Sequence, residues 1–390
     1  MNLRFRAPSQ SGIPIHRPNV TSSAPSSLVE QLRARRPRIP ATLTLIAANG
    51  LVFLAMLWHG AGLWHTADGL PLAWGANFGP ATKDGEWWRL GSAMFLHFGV
   101  LHLGMNMLSL WDGGRLVERM YGSARFLFIY FAAGLLGNLL SLLARGDQAV
   151  SAGASGAIFG VYGALIGYLW LARRQRRAQE HRHLFWGAIL FAALAVSLGF
   201  LIPGIDNHAH LGGLAGGLLA SLLLAPGDIA APRLARALAG AGLALAVALM
   251  IARMPPPLYR WSEEQRARQE IMAFQDTEAR IHTQWQSLMD RARQGEMSFD
   301  ELASQIETQV AAPYENSFEQ LSHLHLDPAA PSASALEALR QYAENRRDLS
   351  RALAGKLRAR AQDLFFNPAQ PEGISTPARD LPENGESSAH

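Results

Sequence analysis

Long apolar runs recur between residues 41 and 252, and they limit what this chain can fold into. A helix needs about 20 apolar residues to cross a hydrocarbon core about 30 Å thick, and most of the runs approach that length. Helices satisfy their own backbone hydrogen bonds inside a bilayer, which open sheets do not. We therefore predict an all-α, polytopic membrane helical bundle with seven spans. The runs lie at 41–58, 99–111, 126–144, 154–172, 184–203, 208–225 and 234–252.

The composition indicates a membrane part joined to a soluble part. The 390 residues are 49% hydrophobic and 17% charged, which is too few charges for an ordinary soluble protein. The absence of cysteine excludes disulfide frameworks, thiolate metal sites and a cysteine nucleophile. The net charge of +4 comes mainly from basic residues beside apolar runs. We interpret it as an orientation signal and do not expect nucleic-acid binding.

The basic residues also predict how the chain is oriented. If the spans alternate, the basic clusters all fall on one side, which should be cytoplasmic. The N-terminus is then cytoplasmic, while the loop 59–96 and everything after the seventh span are extracytoplasmic. We expect an integral protein of a bacterial inner membrane. An Arg- and Ser-rich transit peptide is the competing interpretation of the N-terminal tail. The clusters are the tail itself, Arg115/Arg119/Arg125, Arg173–Arg177 and Arg233/Arg236.

The composition changes after Pro255–Pro257, where soluble amphipathic helices are expected. This small soluble helical region could bind a partner, recruit substrate, mediate self-association or simply cap the membrane core. The predicted organisation is a basic cytosolic tail (1–40), a six-span core (41–225), an additional seventh span (226–254), a soluble helical extracytoplasmic region (255–366) and a disordered tail (367–390).

A serine and a histidine stand near the starts of two apolar runs. Ser155 lies between Gly153 and Gly156, where missing side chains would let a substrate backbone approach, and a helix start offers unpaired N–H groups. His210 is the candidate base, provided that its helix packs very closely on that of Ser155. Glycines spaced four apart in both runs would allow this approach. They are Gly156/Gly160, Gly163/Gly167, Gly212/Gly216 and Gly213/Gly217.

Each of these residues also has an ordinary interpretation. A serine between glycines at a helix start is often a cap or a packing residue, and a lone interior histidine is often structural. His208 and His210 are spaced i, i+2, which puts them on different helix faces, so we expect no metal site. The second run is interrupted by polar residues, and two of them, His102 and Asn106, share one helix face and could donate to one oxygen.

Five segments in a fixed order carry a resemblance to a known family. They are Gly85–Leu90 with Trp88 and Arg89, Phe95–His97 followed by His102–Asn106, Gly114–Gly122 with Glu118, Ser151–Gly156, and Ala209–Gly217. Over about residues 84 to 225 the chain resembles the rhomboid intramembrane serine proteases.

The resemblance implies a six-span catalytic core and a role for each motif residue. Ser155 would be the nucleophile and His210 the general base and then acid. Because the family uses a dyad, no acid is assigned to orient His210, and Asp206 is interpreted as a turn residue. The Ser155 N–H, His102 and Asn106 would form the oxyanion hole. The remaining motif residues would be site-shaping (Gly153, Gly156 and Phe159, the last packing on His210) or structural (Trp88, Arg89, Glu118, Gly213 and Gly217).

The function implied is an intramembrane serine endopeptidase that cleaves transmembrane segments of membrane proteins through an acyl-enzyme, without metal or cofactor. One alternative is a catalytically inactive rhomboid-like protein that binds or escorts transmembrane clients. The retained serine and histidine argue against it. A transporter would need ion-coordinating groups near midspan, and spans three to seven offer almost none.

Overall fold

A computed structural model describes residues 27–366 except 148, 174–177, 228 and 230. Most of the predicted basic tail and all of the predicted disordered tail therefore lie outside the described residues. Within the described part of the chain the regular structure is helical, and the sole β-type pairing is an isolated bridge between Asn77 and Ser151. The all-α prediction is confirmed.

The described helices are numbered along the chain. In the first two thirds they are α1 (Leu28–Arg35), α2 (Pro40–Trp58), α3 (Gly69–Ala73), α4 (Gly79–Lys83), α5 (Arg89–Ser92), α6 (Val100–Ser109), α7 (Arg115–Tyr121), α8 (Ser123–Arg145), α9 (Ser155–Ala172), α10 (Ala178–Leu201), α11 (Asn207–Leu223) and α12 (Arg233–Ala252). A 3₁₀ turn, Ala93–Phe95, follows α5, and a π-helical turn, Leu110–Gly114, joins α6 to α7. The last third contains α13 (Trp261–Arg293), α14 (Phe299–Ile306), α15 (Ala312–Ser322) and α16 (Ala333–Phe366), with a π-helical turn, Glu307–Ala311, between α14 and α15.

The chain divides into two compact units. The first contains the residues up to Asn77, Trp88–Arg145 and Val150–Met254, and the second contains Phe78–Trp87, Gly146–Ala149 and the residues from Pro255 onward.

In the first unit, five described helices are long and apolar enough to cross a membrane: α2, α8, α9, α10 and α12. A sixth crossing results if Arg89–Phe95 and Val100–Tyr121 form one span, bent by 93°. The run predicted at 208–225 is α11, which has 17 residues. Long apolar helices of this kind confirm the prediction of an integral membrane bundle.

The break between Arg89–Phe95 and Val100–Tyr121 has a local cause. Between the two halves the backbone pairs with the preceding loop: Thr66 N–H donates to the Phe98 carbonyl at 2.7 Å, and Val100 N–H donates to the Leu63 carbonyl at 2.8 Å. A Cβ on Gly99 would overlap the carbonyl oxygen of Trp64, so only glycine fits. The loop thus supplies the hydrogen bonds that a continuous helix would make internally.

Helices α8, α9 and α11 pack backbone to backbone in the first unit. A Cβ on Gly213 would overlap the carbonyl oxygen of Gly156, and a Cβ on Gly217 would overlap that of Gly160. On the other side of α11, a Cβ on Gly137 of α8 would lie 2.5 Å from a backbone carbonyl oxygen. The spaced glycines therefore permit the close approach of α9 and α11, the helices of Ser155 and His210.

Glu118 of α7 holds the start of α2, at the end of the bundle opposite the loop that contains Leu63 and Thr66. Glu118 is 1% exposed, and its carboxylate accepts hydrogen bonds from the Ala41 and Thr42 N–H groups at 2.9 and 2.8 Å. The hydroxyls of Thr42 and Ser123 add bonds of 2.6 and 2.7 Å. The carboxylate thus satisfies N–H groups that a helix start leaves without intrahelical partners.

The second unit is a helical domain that incorporates two short upstream segments. Its core is formed by apolar faces of α13, α14, α15 and α16. Lys83, whose side chain is 2% exposed, forms an ion pair with Asp147 at 2.9 Å and donates to the Pro256 carbonyl at 3.3 Å. Asp84 accepts a hydrogen bond from Ser262 N–H at 2.9 Å. Residues from three distant parts of the chain therefore fold together.

Candidate active site

The segment before α9 positions Ser155 at the first turn of that helix. Ser151 pairs with Asn77 through two backbone hydrogen bonds of 2.8 and 2.9 Å, and Gly153 N–H donates to the Ala93 carbonyl at 2.8 Å. Gly153 has a φ of +133°, which other residues rarely adopt. Because Ser155 begins the helix, its N–H group has no carbonyl one turn earlier in the helix to accept it.

His210 lies in the first turn of α11, beside Ser155. Its Nε2 is 3.0 Å from Ser155 Oγ, and the residue is only 6% exposed. Its Nδ1 is buried and has no hydrogen-bond partner among the described residues. Oγ–H can therefore donate to Nε2 when the imidazole is neutral with its proton on Nδ1.

An aromatic ring fixes the plane of this imidazole. The ring of Phe159, one turn after Ser155, stacks on His210 with centroids 4.2 Å apart and planes 12° apart. Phe159 itself contacts Phe191 of α10, with centroids 6.2 Å apart. The stacking restricts rotation of His210 without using either ring nitrogen.

His102 faces the same space as the serine hydroxyl. A Cβ on Gly153 would lie 2.9 Å from His102 Cε1 and Nε2, and 3.8 Å from Ser155 Oγ. Phe98 N–H donates to His102 Nδ1 at 3.4 Å. Because Nδ1 accepts this bond, a neutral His102 carries its proton on Nε2, and this N–H is available to a bound ligand.

The spacing of Asn106 and His102 suggested that both side chains could donate to one oxygen, but Asn106 makes a different contact. Its Nδ2 donates to the His102 backbone carbonyl at 2.8 Å, and the side chain is 6% exposed. One of its two amide hydrogens is therefore used within α6, and the other remains for a ligand.

The other motif residues make contacts that hold loops and helices together. Arg89 is 4% exposed and donates to the Leu72 and Ala76 carbonyls at 2.6 and 3.2 Å. Its guanidinium also lies 4.9 Å from the ring centre of Trp88. Arg89 thus holds the loop that contains Leu72 and Ala76, and Trp88 packs on its guanidinium. Glu118, Gly213 and Gly217 make the capping and helix-packing contacts described above.

The structure adds a carboxylate whose contacts the sequence did not indicate. Asp206 accepts hydrogen bonds from the hydroxyls of Ser141 and Ser151 and from Ala209 N–H. The interpretation of Asp206 as merely a turn residue was therefore incomplete. Its position just before a helix could have signalled the cap, but no spacing links it to a serine 65 residues away. Among the described residues, no three His, Asp or Glu side chains are arranged to hold a metal ion.

Comparison with known proteins identifies the family. A rhomboid domain model matches residues 84–227. The putative rhomboid protease YdcA of Bacillus subtilis is 37% identical over 180 residues, which are 44% of this chain and 85% of that protein. The chain belongs to the rhomboid family.

Two further relatives match the same rhomboid region. The rhomboid protease GluP of Bacillus subtilis is 44% identical over 153 residues, which are 39% of this chain and 29% of that protein. RHOMBOID-like protein 5 of Arabidopsis thaliana is 41% identical over 148 residues, which are 36% of this chain and 46% of that protein. This rhomboid thus spans less than a third of the length of GluP.

Proposed function

We propose that this rhomboid is an intramembrane serine endopeptidase with a dyad of Ser155 and His210. The observation that carries the proposal is the 3.0 Å approach of Ser155 Oγ on α9 to His210 Nε2 on α11. A hydroxyl becomes a useful nucleophile when an adjacent base takes its proton, and this distance suits such a transfer.

The reaction would proceed in two halves. Ser155 Oγ bonds to the substrate carbonyl carbon while its proton passes to His210 Nε2. The C–N bond then breaks, and the imidazolium returns the proton to the leaving amine. A water molecule, deprotonated by the same nitrogen, hydrolyses the acyl-enzyme and regenerates the Ser155 hydroxyl.

The oxyanion would be stabilised by groups on two elements. The Nε2 of His102 and the Oγ of Ser155 both lie within 4 Å of the Cβ position of Gly153, Ser155 begins a helix and so offers its backbone N–H, and Asn106 has one amide hydrogen left. Removing a single donor of this type typically costs about 10²- to 10³-fold in turnover. Phe159 would keep the imidazole of His210 in plane during both proton transfers.

The substrate would be another membrane protein with a transmembrane helix. Amides within such a helix are internally bonded, so the segment must unwind before Ser155 can reach a carbonyl. Helix-breaking residues near the cleaved bond would ease that step.

Labelling with a fluorophosphonate probe tests this function. We expect the wild type to be labelled, and Ser155→Ala and His210→Asn to react roughly 10³-fold more slowly or not at all. Ser109→Ala is the control, because the Ser109 hydroxyl lies on α6 and donates only to the Met105 carbonyl. An unlabelled wild type that also fails to cleave single-span test substrates would instead support the alternative function of binding transmembrane clients.

We further propose that the N-terminus is cytoplasmic and the C-terminal helical region extracytoplasmic, in a bacterial inner membrane. The basic clusters favour this direction. The second unit supports a shared side for the two loops and the C-terminal region, because it unites residues 78–87 and 146–149 with the chain after Pro255. The absence of cysteine allows a direct test. A membrane-impermeant maleimide added outside should label Gln269→Cys and not Ala34→Cys, both at exposed positions, and the reverse result would refute the orientation.

A further inference from the structure

One carboxylate links the chain segments that carry the two dyad residues. Asp206 Oδ2 accepts hydrogen bonds from Ser151 Oγ at 2.7 Å and from Ser141 Oγ. Its Oδ1 accepts from Ala209 N–H at 3.1 Å. The donors belong to α8, to the segment before α9 and to the first turn of α11. Three elements of the bundle therefore meet at one side chain.

Asp206 stands close in the chain to the base, and its partner Ser151 stands close to the nucleophile. His210 N–H donates to the Asp206 backbone carbonyl at 3.1 Å, so the two residues are one helical turn apart. Ser151 likewise precedes Ser155 by four positions. The link between Asp206 and Ser151 thus joins the two elements whose separation sets the Ser155–His210 distance.

Asp206 is not the third member of a catalytic triad. Such a member would accept a hydrogen bond from Nδ1 of His210, and this atom has no hydrogen-bond partner among the described residues. Both carboxylate oxygens of Asp206 are already occupied by the three donors above.

We propose that Asp206 is a positioning residue, which fixes the spacing of nucleophile and base by binding Ser151 and Ser141 while capping α11. Hydrogen bonds to a carboxylate are shorter and stronger than those between neutral groups, which suits a link that must hold a distance. The inference rests on the proposed function, because it concerns the rate of a reaction at Ser155.

Two substitutions distinguish a positioning role of Asp206 from a role that is limited to capping α11. Serine caps helices about as well as aspartate, so Asp206→Ser can keep the bond to Ala209 N–H. Its single hydroxyl cannot also hold Ser141 and Ser151. Asparagine keeps the size and can donate to both hydroxyls, since these accept as well as donate.

The experiment measures probe-labelling rate, kcat and KM on a single-span substrate, and melting temperature, for each variant of the full chain. We expect Asp206→Ser to lower the labelling rate and kcat by about 10²-fold, the scale of a misplacement near 1 Å, with KM almost unchanged. It should also melt at a lower temperature, because the buried Ser141 hydroxyl loses its partner, so rates are compared at a temperature where every variant is folded. Asp206→Asn should retain most of the rate. The control is Asp68→Ser, at an exposed position before α3 whose side chain makes no capping hydrogen bond.

Double variants test whether the serines act through Asp206. Ser151→Ala should slow the wild type, yet cause no further loss in the Asp206→Ser background, because the interaction is already absent. If Asp206→Ser fails to fold, Ser151→Ala and Ser141→Ala decide the question alone: slower labelling of the folded variants supports the proposal, and unchanged labelling overturns it.

The two proposals fail in different ways. If the wild type itself is neither labelled nor active, the proposed peptidase function fails. If the wild type is labelled and a folded Asp206→Ser reacts at the same rate, peptidase function stands and the positioning role is refuted.

Discussion

Replacing Gly153 by alanine should damage the site through one added methyl group. The new Cβ would lie 2.9 Å from Cε1 and Nε2 of His102, so the ring must recede by about 0.5 Å to reach an ordinary contact of 3.4 Å. The φ of +133° adds backbone strain of about 1–3 kcal/mol. Strain lowers stability, whereas displacement of His102 removes the proposed oxyanion donor.

We expect Gly153→Ala to melt at a lower temperature and to cleave a single-span substrate about 10²- to 10³-fold more slowly, the range for one lost donor. The matched control is Gly60→Ala, because Gly60 also has a positive φ, +96°, but an added Cβ there would have no neighbour within 4 Å. This control should lose stability and keep its turnover. Equal turnover in the two folded variants would refute the assignment of His102 to the oxyanion hole.

Three further predictions concern packing and charge. Gly217→Ala should force α9 and α11 apart and cost about 1–3 kcal/mol in unfolding free energy, whereas Gly50→Ala, with open space around it, should not destabilise; thermal melting in detergent compares them. Glu118→Ala should leave buried donors at the start of α2 unpaired, at about 1–3 kcal/mol each, and an unchanged melting temperature would contradict this. The hydrogen bond from Arg358 lowers the pKa of Glu307, so this contribution to stability is present above the unfolded-state pKa and lost as pH falls through the folded-state pKa. The stability difference between wild type and Glu307→Gln should therefore shrink on acidification, and a pH-independent difference would count against the pair.

The helices and the closeness of two of them could be predicted from the sequence. Apolar runs of membrane-spanning length mark the helices, because the bilayer sets that length. Glycines four positions apart mark the faces where backbones approach, and Gly156 and Gly213 do meet there. These are local signals, repeated along one element.

The contacts that depend on distant residues could not be predicted in this way. The 93° bend between Arg89–Phe95 and Val100–Tyr121 is accompanied by hydrogen bonds to the preceding loop, which leave no periodic trace in the sequence. Asp206 meets Ser151 across 55 residues and Ser141 across 65. Nor does any pattern in residues 78–87 indicate that they fold with the last third of the chain.

The second unit combines early and late segments of the chain, which imposes an order on its folding during synthesis. Lys83 and Asp147 leave the ribosome long before Pro256, yet all three meet in one cluster. Translation must therefore pass the last hydrophobic segment before this cluster can close. Until Pro256 has been synthesised, the loops of Lys83 and Asp147 lack the residues that complete their fold.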